Sequence, residues 1–125
     1  MTYNTATFSI FYNWTGFFQP IDNQPVVNVA KAGSAIPVKF SLHGNQGLSI
    51  VMAGYPASGV IACNSSDPAS LVEETVTAGG STLTYDGGAD QYIYVWKTEK
   101  SWNGCRQLVI QLKDGTYHRA NFQFK

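Results

Sequence analysis

Charge is what this sequence has least of. Lysine, arginine, aspartate and glutamate make up 13% of its 125 residues, about half the share usual in globular proteins, so its surface must be polar through Ser, Thr, Asn, Gln and Gly. Eight basic side chains balance eight acidic ones. Both a phosphate backbone and an anionic bilayer require a basic patch, so neither nucleic acid nor a membrane surface is expected as a partner. No run approaches the ~18 apolar residues of a membrane span, and helical periodicity is almost missing. Met1 to Thr5 lacks the basic start and apolar run of a signal peptide. An exported domain with this beginning is expected either to be cut from a longer chain or to leave the cell by another route.

Chemistry-bearing residues are equally scarce. The two histidines are His43, in a turn, and His118, on the inward face of a late hairpin; neither belongs to an H-E-x-x-H pattern or a nucleophile elbow. Glu73 and Glu74 are adjacent, so on a strand they point to opposite faces and cannot flank one bond as a glycosidase pair. No enzyme is expected, and no cofactor. The two cysteines, Cys63 and Cys105, form no C-x-x-C pair and have no clustered histidines, which argues against a redox motif or a zinc site. A disulfide is the expected reading, with two buried thiols as the alternative. Closing that loop stabilises by about 4 kcal/mol in the chain-entropy model, and paired cysteines place the chain in an oxidising environment, extracellular or at the cell surface.

What is present is short alternation. From Asn28 the chain runs as strand, breaks at Ala32, Gly33 and Ser34, and resumes with Val38, Phe40 and Leu42 on one face and Lys39 and Ser41 on the other. Pro37 cannot donate to a ladder, so the strand is expected to begin near Val38. Before it, the aromatic stretch Thr5 to Phe18, with Phe8, Ile10 and Tyr12 on one face, predicts a first strand, or two broken near Asn13. Further strands are expected over Leu48 to Met52, Val60 to Cys63 and Glu73 to Thr77, with a short helical turn at Asp67-Pro68. A hairpin is expected from Ser81 to Thr98 around Asp86 to Asp90. Its second strand, with Tyr92, Tyr94 and Trp96 opposite Ile93 and Val95, is apolar on both faces and therefore central. The last hairpin carries Leu108, Ile110 and Leu112, then turns at Asp114-Gly115. Its return strand carries His118, Ala120, Phe122 and Phe124 inward against Tyr117, Arg119, Asn121 and Gln123. Short strands with a turn every 8 to 12 residues or so predict one all-β domain over residues 1–125, an antiparallel β-sandwich of about seven to nine strands.

The stretches Phe17-Phe18-Gln19-Pro20-Ile21-Asp22-Asn23 and Ala32 to Leu42, the latter containing Pro37-Val38-Lys39-Phe40, closely resemble the PxKF domain of bacterial exported proteins. The likeness continues through Gly47-Leu48, Ala53-Gly54-Tyr55-Pro56, Val95-Trp96-Lys97-Thr98, Cys105-Arg106-Gln107-Leu108 and Asp114-Gly115-Thr116. Pro37, Lys39 and Phe40 are the family motif. The resemblance implies an immunoglobulin-like fold and an accessory module of secreted or cell-surface proteins, with no established activity of its own.

Several binding sites are open at this level. Tyr92, Tyr94 and Trp96, with Trp102 elsewhere, could form an aromatic platform for sugar rings or fill the core. Asp86 and Asp90 could offer carboxylates to calcium, although the loop is several ligands short of an EF-hand and reads first as a glycine-rich turn. Lys39 and Asn121, with Glu73 or Glu74 as the acid, are candidates for an isopeptide bond, but alternation turns both outward, where a lysine keeps its charge. Expected partners are other domains of a parent protein and a cell-surface or extracellular polymer. Self-association through a donated aromatic leading strand is a further possibility. The expected function is a structural spacer or adhesion domain. A carbohydrate-binding module is the first alternative, and a filament or phage-particle subunit the second.

Overall fold

In a computed structural model of the chain, residues 11–65, 67–80 and 82–125 are described. Ten strands occur among them: β1 (Thr15–Gly16), β2 (Val27–Ala30), β3 (Ala35–Ser41), β4 (Ala57–Val60), β5 (Glu73–Glu74), β6 (Val76–Thr77), β7 (Thr84–Asp86), β8 (Gln91–Lys97), β9 (Gly104–Gln111) and β10 (Tyr117–Phe124). They form two sheets. One runs β1-β3-β8-β6, with β7 also on β8; the other runs β2-β10-β9-β4-β5. The protein is thus an all-β sandwich, and its interior is filled by the residues whose alternation marked them: Val38, Phe40, Leu42, Tyr92, Trp96, Leu108, Ile110, Phe122 and Phe124 are all buried. Ring-to-ring packing ties the sheets together, with Trp96 edge-on to Phe122 and Phe124 at 5.3 and 5.8 Å.

The expected hairpins are in place. Asp86 pairs with Gln91 across the β7–β8 turn, and β9 pairs with β10 from Gln111–Tyr117 to Gly104–Phe124. Gly115 takes φ +86 in that second turn, a conformation that an L side chain resists. As its two-sided apolar pattern required, β8 is central in its sheet, between β3 and the pair β6 and β7.

Several boundaries differ from the expectation. The pairing is not wholly antiparallel, because β2 lies parallel to β10. The Ala32-Gly33-Ser34 turn carries the chain from β2 in one sheet to β3 in the other, so the two never form a hairpin. Strand β3 begins at Ala35, before Pro37, which faces Val95. The Lys39 carbonyl accepts from the Phe18 amide on the side away from β8. Backbone groups alternate sides along a strand, so the donor that Pro37 lacks falls on the edge side, where no ladder bond is lost.

The leading segment yields only the two-residue β1; Phe8, Ile10 and the start of that expected strand lie outside the described residues, as do Ser66 and Ser81. Leu48 to Met52 is no strand but a single bridge, Val51 to Leu112, with Ile50 fully buried beneath it. Strand β4 comes earlier than expected, at Ala57, and Asp67-Pro68 starts no helix. The predicted strand Glu73 to Thr77 is two, β5 and β6, in different sheets.

Candidate functional site

A concavity lies where that strand divides. Thr75 sits at the crossing between sheets, and its amide and hydroxyl both donate to the Pro56 carbonyl, at 2.9 and 2.8 Å. The same hydroxyl meets the Tyr94 hydroxyl at 2.6 Å. The chain is therefore pinned where it leaves β5 and enters β6. Upstream, residues 69–72 cross close over β4, because Gly59 has no side chain: a Cβ there would collide with the Leu71 carbonyl oxygen.

Two cavities of about 380 Å³ each flank the crossing and share Ser58 and Glu73 in their walls. One is walled by Glu74, Thr75, Val76, Trp96, Glu99 and Trp102. The other is walled by Gly59, Val60, Leu71, Val72 and Arg106. Arg106 occupies a position on β9 in phase with Leu108 and Ile110, so its stem enters the sandwich at the open end. Its side chain is 11% exposed, and its Nη2 donates to Glu73 Oε1 at 2.6 Å. The guanidinium lies 4.0 Å from the centre of the Trp102 ring. A cation this deep needs both a carboxylate and a π face to offset its lost hydration.

Polar groups are left over here. Among the described residues, four buried side-chain atoms have no hydrogen-bond partner, and three of them, Ser58 Oγ, Trp96 Nε1 and Arg106 Nε, belong to residues of this cleft. The fourth is Arg119 Nε.

The structure disperses the other sequence candidates. Tyr92, Tyr94 and Trp96 are 0%, 8% and 0% exposed; they fill the core and form no open platform. Trp102 is half-buried against Trp96 and Phe124, with Arg106 on its ring. Cys63 and Cys105 form the expected disulfide. Of the three residues that carry the resemblance, Pro37 and Lys39 are half-buried and Phe40 is core.

Asp86 caps its own turn by accepting from the Gly88 and Ala89 amides. Asp90 instead holds the 41–44 loop, accepting from the Ser41 hydroxyl, the Gly44 amide and, at 2.6 Å, the Tyr85 hydroxyl. That last bond is the main reason the Asp90 pKa is lowered and the Tyr85 pKa is pushed up to about 12. The two carboxylates thus serve different loops, and among the described residues no three His, Cys, Asp or Glu side chains gather as a metal site would need.

The isopeptide pair is not brought together: Lys39 and Asn121 lie in different sheets. Asn121, expected in water, is 2% exposed. It accepts from Gln24 and Gln107 and donates to the Ser65 carbonyl. His43 bonds the Thr15 hydroxyl. His118 stacks on Trp14 at 3.7 Å and bonds Thr116. Sequence reasoning missed Ser58 and the Arg106–Glu73 pair. The available signal was an arginine standing in phase with an otherwise apolar strand face.

Comparison with known proteins finds no matching family model, no matching curated protein and no matching solved structure. The functional reading therefore rests on this geometry. No helix among the described residues is long and apolar enough to cross a membrane.

Proposed function

We propose that the chain is a non-catalytic accessory module of an exported bacterial protein, an immunoglobulin-like sandwich that acts as an adhesion or interaction domain through the cleft at the β5–β6 crossing. The observation that carries this reading is the exposed apolar rim of that cleft: Val60, Leu71, Val72 and Val76 are 70%, 85%, 41% and 53% exposed. A concentration of exposed apolar side chains around a polar concavity marks a place that binds something. The resemblance to PxKF domains and the Cys63–Cys105 disulfide support export. A non-catalytic role is supported by the way Asp90, Asp114, His43 and His118 are engaged in bonds that hold loops together.

The test is retention of the intact, oxidised chain on bacterial cells and on insoluble extracellular polysaccharides, with the wash assayed for released fragments. Retention without soluble products is the expected result. Release of products, or no retention on any of these surfaces, would overturn the reading.

A further inference from the structure

We infer that the ligand of this cleft is a neutral sugar residue of an extracellular polysaccharide, bound between Ser58, Glu74, Glu99 and the Trp102 wall; this rests on the interaction reading given above. Buried polar groups in folded proteins are nearly always hydrogen-bonded, and leaving one unpaired forfeits its solvation without return. Three of the four such atoms among the described residues belong to residues lining the two cavities: Ser58, 1% exposed, in the shared wall, Trp96 in the first and Arg106 in the second. Unused hydrogen-bonding capacity is thus gathered around the β5–β6 crossing.

The kinds of group present narrow the ligand. Trp96 Nε1 and Arg106 Nε can only donate, whereas the carboxylates of Glu74 and Glu99 can only accept, and the Ser58 hydroxyl does both. Among the described residues, the only ion pair is Arg106 with Glu73, so Glu74 and Glu99 carry uncompensated charge. The Lys97 ammonium is turned to the Gly33 carbonyl at 2.7 Å.

An anionic polymer would meet the unpaired carboxylates of Glu74 and Glu99, while Lys97 in the same wall has its ammonium turned away to Gly33. A cation or an amine would satisfy the acceptors and leave the N–H groups unmatched against the guanidinium of Arg106. A ring bearing several hydroxyls offers donors and acceptors at short spacing with no charge. Its C–H faces have Trp102 and Val76 to pack against. Each cavity, at about 380 Å³, lies within the usual range of small-ligand pockets.

The three tryptophans supply the readout, because Trp96 and Trp102 line the cleft while Trp14 stacks on Phe40 and His118 away from it. The intact oxidised chain, labelled with nitrogen-15, is titrated with soluble neutral oligosaccharides (β-glucan, mannan and N-acetylglucosamine series). Oligogalacturonate and trimethyllysine serve as charged controls. The expected result is a saturable shift of the Trp96 and Trp102 indole signals with at least one neutral series and none at Trp14. Substituting Glu74→Ala and Glu99→Ala together, at two exposed positions whose side chains make no hydrogen bond or ion pair among the described residues, is expected to weaken it about tenfold. Tighter binding of either charged control, or an undiminished response in the double variant, would overturn the inference. Retention on a polysaccharide without movement of these two indoles would overturn this site and leave the interaction reading standing. Loss of retention everywhere would remove both.

Discussion

The two faces of the β9–β10 hairpin are buried by opposite means. On the inner face Leu108, Ile110, Ala120, Phe122 and Phe124 are covered by the rings and branched side chains of the facing sheet. On the outer face Gln107 and Asn121 are 0% and 2% exposed, tied by hydrogen bonds to Ser65, Asp67 and Ala69 of the loop that follows β4. Gln107 accepts from the Ala69 amide at 2.9 Å and donates to the Asp67 carbonyl at 3.1 Å. The Cys63–Cys105 bridge fixes one end of that loop to β9 itself. One face is closed by non-directional burial, the other by directed bonds under a covalent tie, and the two should fail differently.

The largest effect belongs to the inner face. Phe122→Ala removes a ring that packs on Trp96 and Phe124 and should cost about 3–5 kcal/mol of global stability by denaturant unfolding. Opening the disulfide should cost up to about 4 kcal/mol in the chain-entropy model, and its effect on native dynamics should be local. Hydrogen exchange of the Ala69 amide should accelerate in the reduced chain well before that of Ile110. If both amides lose protection together, the loop is not a separate layer. Gln107→Ala removes no core contact but leaves the Ala69 amide and Asp67 carbonyl without partners, for an expected loss of about 1–3 kcal/mol. A loss within the range of an ordinary surface substitution would mean that water replaces those bonds, and the contrast between the faces would weaken.

This contrast also explains what could be read from the sequence. Period-two alternation identifies which side of a strand faces the core, so Val38, Phe40, Leu108, Ile110 and both late hairpins were legible. Alternation says nothing about what covers the other side. Asn121 was expected in water because its neighbours in phase are Tyr117, Arg119 and Gln123; it is buried because Ser65, Asp67 and Ala69, from a stretch without pattern, are tied to it and to Gln107. The crossing at Thr75 was hidden for a related reason: an extended run reads the same whether it stays in one sheet or changes sheets. The cleft arises at that crossing, so its residues stood out beforehand only for other roles: Trp96 and Trp102 for a platform that the core has absorbed, Glu73 and Glu74 as the acid of an isopeptide pair that is not brought together.

The smallest effect, and the one that probes the end of the inner face beside Trp14, is the pH dependence set by His118. Burial against Trp14 is the main reason its pKa is lowered to about 4, with the nearby Arg119 adding to the shift and the Asp114 carboxylate opposing it. In the unfolded chain a histidine titrates near ~6.5. Below that value the unfolded state takes up a proton that the folded state refuses. The stabilisation is therefore complete above about pH 6.5 and is lost as the pH falls toward 4. Because the imidazole is only half-buried, solvent screening limits the change to about 1–2 kcal/mol. Asp114 contributes in a lower window. Burial raises its pKa, but bonds from the Thr116 hydroxyl and amide and from the Tyr12 amide outweigh this and hold it below the usual carboxylate value. That contribution is lost only once the pH has fallen past the ordinary carboxylate range. His118→Phe keeps a ring against Trp14 and removes the titration, so it should flatten the decline in stability between pH 6.5 and 4 while leaving the steeper loss below it. Parallel stability curves for the two proteins across that window would show that the proton is taken up elsewhere, and that the end of the sandwich beside Trp14 is open to water.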